Sequence, residues 1–319
     1  MTTPVLSVLD LATVGRGTTP SDALEASRRL AQHVERLGFH RLWVAEHHSM
    51  PGIASSSPPV LIAHLAAHTT SLRLGSGGVM LPNHSPLVVA EQFGMLEALH
   101  PGRIDLGLGR APGTDGVTAA ALRRTRRLDA DDFPQQLGEL LAYFNGTFPD
   151  DHPFAKIRAT PGEGYQPAIW LLGSSDFSAH LAGVLGLPFS FAHHFSGHNT
   201  EAAVAAYRAA FEPSHVLDEP YLMLGVNVLC APTLDEARYL AGPGRLAMAR
   251  LRGGKPDVYP TPEEAAAHEM TPAEEATARG WGRHHVIGPP EAVRDGLRDL
   301  AERTGADELM VSTVTHGVD

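Results

Sequence analysis

The amino-acid sequence predicts a (β/α)8 barrel of the TIM type, and three observations predict it. Eight short apolar runs recur along the 319 residues, each of the last seven preceded by a stretch of helical periodicity, and no phosphate-binding glycine loop follows the first run. Strict alternation implies a parallel sheet, and eight strands favour closure into a barrel. The missing loop argues against the main rival, a doubly wound sheet.

The elements follow in order. The run "VLSVLD" (5–10) leads into "TTPSDALEASRRLAQHVERLG" (18–38), whose apolar positions Leu24, Leu30, Ala31, Val34 and Leu37 give a helical face. Thr19 is a good N-cap with Pro20 at the first helical position, and Gly38 closes the far end. "HRLWVAE" (40–46) reads as a buried second strand. The helices "PPVLIAHLAAHTT" and "PLVVAEQFGMLEALHPG" precede the third and fourth strands, "LRLGSGGVML" (72–81) and "RIDLGLG" (103–109) or lie between them. "DDFPQQLGELLAYF" precedes "AIWLLG" (168–173), and "SAHLAGVLG" precedes "PFSFAHH" (188–194). "TEAAVAAYRAAF" then leads to "YLMLGVNVLCA" (221–231), and "PPEAVRDGLRDLAERTG" to "ELMVSTVTH" (308–316).

Two stretches exceed ordinary connections: 146–167 before the fifth strand, and 241–285 between the seventh and eighth. Long loops in a compact domain are usually functional lids or mobile segments, and 241–285 is the expected lid. The whole of 1–319 reads as a single domain that stops directly after its eighth strand, without the last outer helix of an ideal barrel. The second and third helices are too widely apolar to keep one face in water, which predicts a homodimer interface there.

Composition narrows the function. An apolar share of 43% with 19% charged residues fits a protein with a sizeable core, and a net charge of -11 disfavours nucleic-acid or anionic-membrane partners. Cys230 is the single cysteine, so no internal disulfide forms. The opening "MTTPVLSVLDLATVGRG" lacks a secretory pattern, and no run approaches the ~20 apolar residues of a membrane span. The expected location is the cytoplasm.

In such a barrel, chemistry collects at the C-terminal ends of the strands. Glu46, His47 and His48 stand at the end of the second run, where an imidazole suits acid–base work. Histidines also end the sixth run, at His193 and His194, so a metal site is the competing reading. Barrel metallohydrolases resemble one another in an HxH on the first strand; here Asp10 stands alone, and no metal is expected. "GLGRAPG" (107–113) has the wrong spacing for a dinucleotide fingerprint. Gly109 and Arg110 instead suit a flat ligand with a cation beside it. Gly173, Ser174, Ser175 and Ser178 leave the fifth run into a helix, a ready phosphate site beside Arg110. Gly75, Gly77 and Gly78 weaken the third strand and point to a bulge, a strained peptide or a close ligand approach.

Taken together, "WVAEHH", "LRLGSGGVMLPNHSPLVVAEQFGMLEALHPGRIDLGLGRAPG", "IWLLGSSDFSAHLAGVLGLPF" and "GADELMVSTVTH" resemble the bacterial luciferase-like flavin monooxygenase family over nearly the whole chain. The resemblance implies that reduced FMN binds at the strand ends and reacts with O2 to give a flavin hydroperoxide that oxygenates a small organic substrate. It implies that His47 is the active-site histidine, with Glu46 orienting it or tuning its charge, and His48 supporting structure. Gly77–Gly78 matches a non-proline cis peptide beneath the flavin. Arg110, Ser174, Ser175 and Ser178 match phosphate positions, His193 an aromatic position near the ring, and one arginine of "RRTRR" (123–127) a further phosphate ligand. Luciferase itself carries a cysteine at the position of Gly109 and a carboxylate at that of Ser174, which weakens any inference to light emission. A separate flavin reductase is expected to supply reduced FMN, because no nicotinamide fingerprint is present. The alternatives are a deazaflavin (F420)-dependent oxidoreductase on the same fold and a non-catalytic flavin-binding protein.

Overall fold

The computed structural model describes residues 4–123 and 132–317. Among these residues the strands are β1 (Val5–Asp10), β2 (Arg41–Val44), β3 (Arg73–Met80), β4 (Ile104–Gly109), β5 (Ala168–Gly173), β6 (Phe189–Phe191), β7 (Leu222–Cys230), β8 (Val286–Gly288) and β9 (Glu308–Ser312). All but β8 form one parallel ring. β1 to β6 pair in sequence order, β6 pairs with β7, and β9 lies between β7 and β1, so the barrel closes without an open edge. Strands buried on both faces read as continuous apolar runs, and β2 and β4 are buried at every residue.

The helices are α1 (Pro20–Arg36), α2 (Pro58–Ala66), α3 (Pro86–Leu99), α4 (Gly116–Arg123), α5 (Phe133–Asn145), α6 (Asp176–Val184), α7 (His193–Ser196), α8 (Thr200–Ala210), α9 (Leu234–Arg252), α10 (Pro262–Ala267), α11 (Pro272–Gly282) and α12 (Pro290–Thr304). α1 starts as its sequence predicts. Thr19 and Asp22 form a reciprocal capping box, with Asp22 N donating to Thr19 Oγ1 at 3.2 Å and Thr19 N to Asp22 Oδ2 at 2.8 Å. Such a cap contributes about 1 kcal/mol.

One expectation needs correction, and two features add to the sequence reading. The segment 241–285 does not begin as a loop: α9 runs through Pro243 to Arg252, and α10 and α11 follow. "AGPG" reads as a helix breaker, yet Gly244 serves packing. A Cβ there would lie 2.9 Å from Trp281 and 3.1 Å from the Tyr259 hydroxyl, so only glycine lets α11 and the 253–261 strap close on α9. A short strand, β8, extends the C-terminal end of β7 and was not foreseen. The segment 146–167 packs outside the barrel rather than acting as a lid. Gly94 of α3 meets Gly162 so closely that a Cβ on Gly94 would lie 2.2 Å from the Gly162 Cα.

The end of the barrel opposite the strand C-termini is closed by buried charge. Arg41 donates to Asp105 at 2.7 Å and to both oxygens of Glu308 at 2.8 and 3.1 Å. Arg73 also pairs with Asp105, Trp43 Nε1 donates to Asp105 at 3.0 Å, and the Tyr221 hydroxyl donates to Glu308 at 3.0 Å. The Arg41 guanidinium lies 4.8 Å from the Trp170 ring centre. Above this plug, Trp43, Trp170, Met223 and Met310 fill the barrel interior.

Candidate active site

A cavity of about 710 Å³ opens at the C-terminal ends of the barrel strands, a size that suits a cofactor or small ligand. Its floor includes Leu9, Trp43, Leu172 and Met310, and α9 and α11 roof it with Met248, Leu251 and Trp281. Gly77–Gly78 is a cis peptide on the cavity wall, and the β3–β4 register shifts there. A Cβ on Gly78 would stand 2.8 Å from the Gly107 carbonyl oxygen, and one on Gly109 2.9 Å from Met80 Sδ. This wall is therefore bare backbone.

Glu46 and His47 both line the cavity, but they do not bond each other. Glu46 is fully buried; its Oε1 accepts from His48 Nε2 at 2.9 Å and His84 Nε2 at 2.8 Å, and its Oε2 from the Met80 amide at 3.0 Å. Burial opposes its ionisation, yet hydrogen bonds from His84, His48 and the Met80 amide outweigh burial and hold its pKa below the ordinary carboxylate value. The carboxylate thus ties the end of β2 to the chain leaving β3. His48 is one of its clamps, and His84 is a second that the sequence reading missed.

His47 points its Nδ1 at the Gly113 carbonyl, 3.1 Å away. A carbonyl only accepts, so Nδ1 carries the proton and Nε2 offers a lone pair. Burial lowers the imidazole pKa, offset only in part by the Gly113 carbonyl and the Glu46 charge. His47 is therefore a neutral acceptor at pH 7.

A cluster of hydrogen-bond donors lies at the ends of β4 and β5. Arg110, Gly173, Ser174, Ser175 and Ser178 all line the cavity. Ser175 is the N-cap of α6, and its side chain makes no capping hydrogen bond. The Arg110 guanidinium lies 4.2 Å from the Phe177 ring centre in the first turn of α6, and no carboxylate pairs with it among the described residues. Helix N-terminal amides, hydroxyls and a guanidinium with no carboxylate partner among the described residues are groups that suit an anion. Of the arginines in "RRTRR", Arg123 donates to Asn83 Oδ1 at 3.1 Å, and the others lie outside the described residues.

His193, the imidazole expected near the ring, is not among the residues that line the cavity. His193 is buried away from the cavity wall; its Nδ1 bonds the Thr200 hydroxyl at 2.6 Å and its ring packs edge-on to His284. The next residue, His194, lines the cavity instead, packed against Gly225. His285 joins it, its Nε2 accepting from Asn227 Nδ2 at 2.9 Å. Asn227, a lone polar residue in "LGVNVLC", was the signal available for this part of the wall.

Burial pushes His193, His194 and His285 down to about 4 from the ordinary 6.5. A depressed folded pKa means the unfolded chain binds more protons between those values, so the stabilisation is complete above pH 6.5 and is lost as pH falls towards 4. His194 alone corresponds to on the order of 3 kcal/mol. The thermal midpoint should therefore drop steeply across this window, and His194→Gln should flatten the drop.

The roof is strapped down on one side. Tyr259 N donates to Val14 O at 2.9 Å, and Arg16 N to Tyr259 O at 2.8 Å. Arg16 also pairs with Asp257 at 2.7 Å, and Arg250 with Glu264 at 2.8 Å.

Comparison with known proteins agrees with this geometry. The family model described as luciferase-like monooxygenase matches residues 5–308. The luciferase-like monooxygenase of Escherichia coli (strain K12) is 45% identical over 310 residues, covering 97% of this chain and 91% of its own. The N-acetyl-S-alkylcysteine monooxygenase of Bacillus subtilis (strain 168) is 43% identical over 234 residues, covering 73% of this chain and 69% of its own. The solved structure of apo-MsnO8 superposes with a TM-score of 0.89 at 39% identity, covering 99% of this chain and 94% of that one.

Proposed function

The chain belongs to the luciferase-like monooxygenase family, and we propose that it uses reduced FMN and O2 to oxygenate a small organic substrate in the barrel mouth. The observation that carries this reading is the union, in one cavity, of an anion pole, a bare backbone wall and a neutral imidazole. These residues fit FMN. The phosphate suits Arg110, Ser174, Ser175, Ser178 and the first turn of α6, and the flat ring suits the wall of Gly77, Gly78 and Gly109. Bound in its reduced form, FMN supplies the two electrons needed to place one atom of O2 in product and the other in water.

The chain's own residues do the rest. His47 Nε2 accepts a proton from the reacting partner and returns it, with Nδ1 pinned by Gly113. Glu46 holds a fixed negative charge beside it. The apolar roof of Met248, Leu251 and Trp281 keeps water from the reacting atoms. Reduced FMN comes from a separate flavin reductase. Exposed Val60, Val88, Met95 and Leu99 on α2 and α3 support pairing of two copies through these helices, so light scattering should give the mass of a dimer. Among the described residues no helix is long and apolar enough to cross a membrane; the proposed location is the cytoplasm.

Phe177 gives a sharp check of the phosphate assignment. Phe177→Ala should weaken FMN binding about 2- to 5-fold, the worth of an exposed cation–π contact. Riboflavin, which lacks the phosphate, should bind as before. The function itself is tested by titrating the protein with FMN and with the deazaflavin, then supplying reduced FMN, O2 and a panel of thioethers, aldehydes, ketones and sulfonates. N-acetyl-S-alkylcysteines head the panel because of the Bacillus relative's name. Deazaflavin-driven hydride transfer would favour the rival cofactor, and FMN binding without any product would mark a non-catalytic flavin protein.

A further inference from the structure

The charges on the cavity wall do not balance. Its cations include Arg110, Arg245, Arg279 and Arg283, and its carboxylates are Glu46 and Asp257. Both carboxylates are already satisfied: Glu46 by His48, His84 and the Met80 amide, and Asp257 by Arg16 and Arg250. Arg245 is paired with Glu275 at 3.1 Å. That leaves Arg110, Arg279 and Arg283 without a carboxylate among the described residues, in a chain whose net charge is -11.

By the elements that carry them, the three cations fall into two poles. Arg110 stands at the ends of β4 and β5, stacked on Phe177 of α6. Arg279 and Arg283 come from α11 and the turn after it. That turn is fixed against β7 and the chain that follows β6. Asn227 of β7 holds His285, a Cβ on Gly197 would run into His284, and Trp281 packs on Gly244 of α9. One anion, the cofactor phosphate, accounts for the first pole under the reading above. The second pole is left with no occupant, and the same cavity wall carries the apolar side chains Leu229, Met248, Ile287 and Trp281.

We propose that the substrate is a small organic anion, an apolar body ending in a carboxylate or sulfonate, whose charged group is received by Arg279 and Arg283 at the rim. The proposal rests on the FMN reading of the first pole. Arginine suits the task because its planar fork matches a carboxylate or sulfonate and stays charged at any working pH. Both residues are exposed on the rim, so they also attract an anion from solution, an effect that salt weakens. The roof then carries specificity as well as exclusion of water, with the reacting end of the substrate directed inward towards His47.

The test uses the full-length chain loaded with FMN. N-acetylmethionine, hexanoate and hexanesulfonate are titrated beside their neutral partners N-acetylmethionine methyl ester, hexanamide and hexanesulfonamide, followed by calorimetry. At least one anion should bind about 10-fold more tightly than its partner, as a charge-assisted contact provides, and that preference should shrink as salt is raised. Arg279→Gln with Arg283→Gln should abolish the preference and leave FMN affinity unchanged, whereas Arg279→Lys with Arg283→Lys should keep part of it. Equal binding of acids and neutral partners, or no binding by any acid, overturns the proposal. Loss of FMN affinity in the glutamine variant with the preference intact also overturns it, assigning the arginines to the cofactor. Failure of the unmodified chain to bind FMN would remove the reading beneath it, and is seen before any acid is added.

Discussion

Replacing His47 by alanine should leave FMN affinity within about twofold and reduce product formation by about 10²- to 10⁴-fold, the usual worth of a positioned general acid or base. The asymmetry follows from geometry. The groups assigned to the cofactor are the anion pole and the glycine wall, and the His47 ring contributes to neither. Among the described residues its ring has one bond, from Nδ1 to Gly113, which leaves the lone pair at Nε2 available. The pH profile supplies a second readout. Burial holds the His47 pKa below its ordinary value, so the neutral, accepting form persists through neutrality and is lost only on acidification. Turnover per bound substrate should be level above pH 7 and fall on the acid side, and that acid limb should vanish in His47→Ala. A variant with full activity would remove His47 from the chemistry.

The second large effect concerns stability. Glu308→Ala should cost about 3–5 kcal/mol, because removing one partner of a buried ion pair strands the other in a medium that cannot solvate it. Arg41 would retain only Asp105, which it already shares with Arg73, and both Ser7 and Tyr221 would lose their acceptor. Glu308→Gln keeps the shape and an acceptor and should cost less. Chemical denaturation of the three proteins checks the order, and a Glu308→Ala protein as stable as the parent would contradict it.

That plug also shows what a sequence discloses and what it withholds. Arg41, Asp105 and Glu308 are charges at the starts of apolar runs, so their oddity was visible. Their partnership was not, because it depends on β9 inserting between β7 and β1 and so reaching the strand that carries Arg41. The barrel itself was legible for a simple reason. Strands covered on both faces need apolar residues throughout, so "IWLLG" and "IDLGLG" announce themselves. His47 was legible because residue type and strand end coincide. His193 and His194 were not separable, since adjacent residues of a helical turn point about 100° apart and only the start of α7 decides which faces the cavity. His84, set in "LPNHSP", carries no local mark of its bond to Glu46. α9 was misjudged because Pro243 and Gly244 argue against a helix until the packing of Trp281 and Tyr259 on Gly244 is seen.

The central claim is that one atom of O2 enters the product. Supplying reduced FMN, isotopically labelled O2 gas and the thioether, aldehyde, ketone and sulfonate panel, and weighing the products by mass spectrometry, tests it most directly. A product heavier by one labelled oxygen atom, formed with FMN and lost in His47→Ala, is the expected result. A product that has lost hydrogen without gaining oxygen, or whose oxygen comes unlabelled from water, would contradict it.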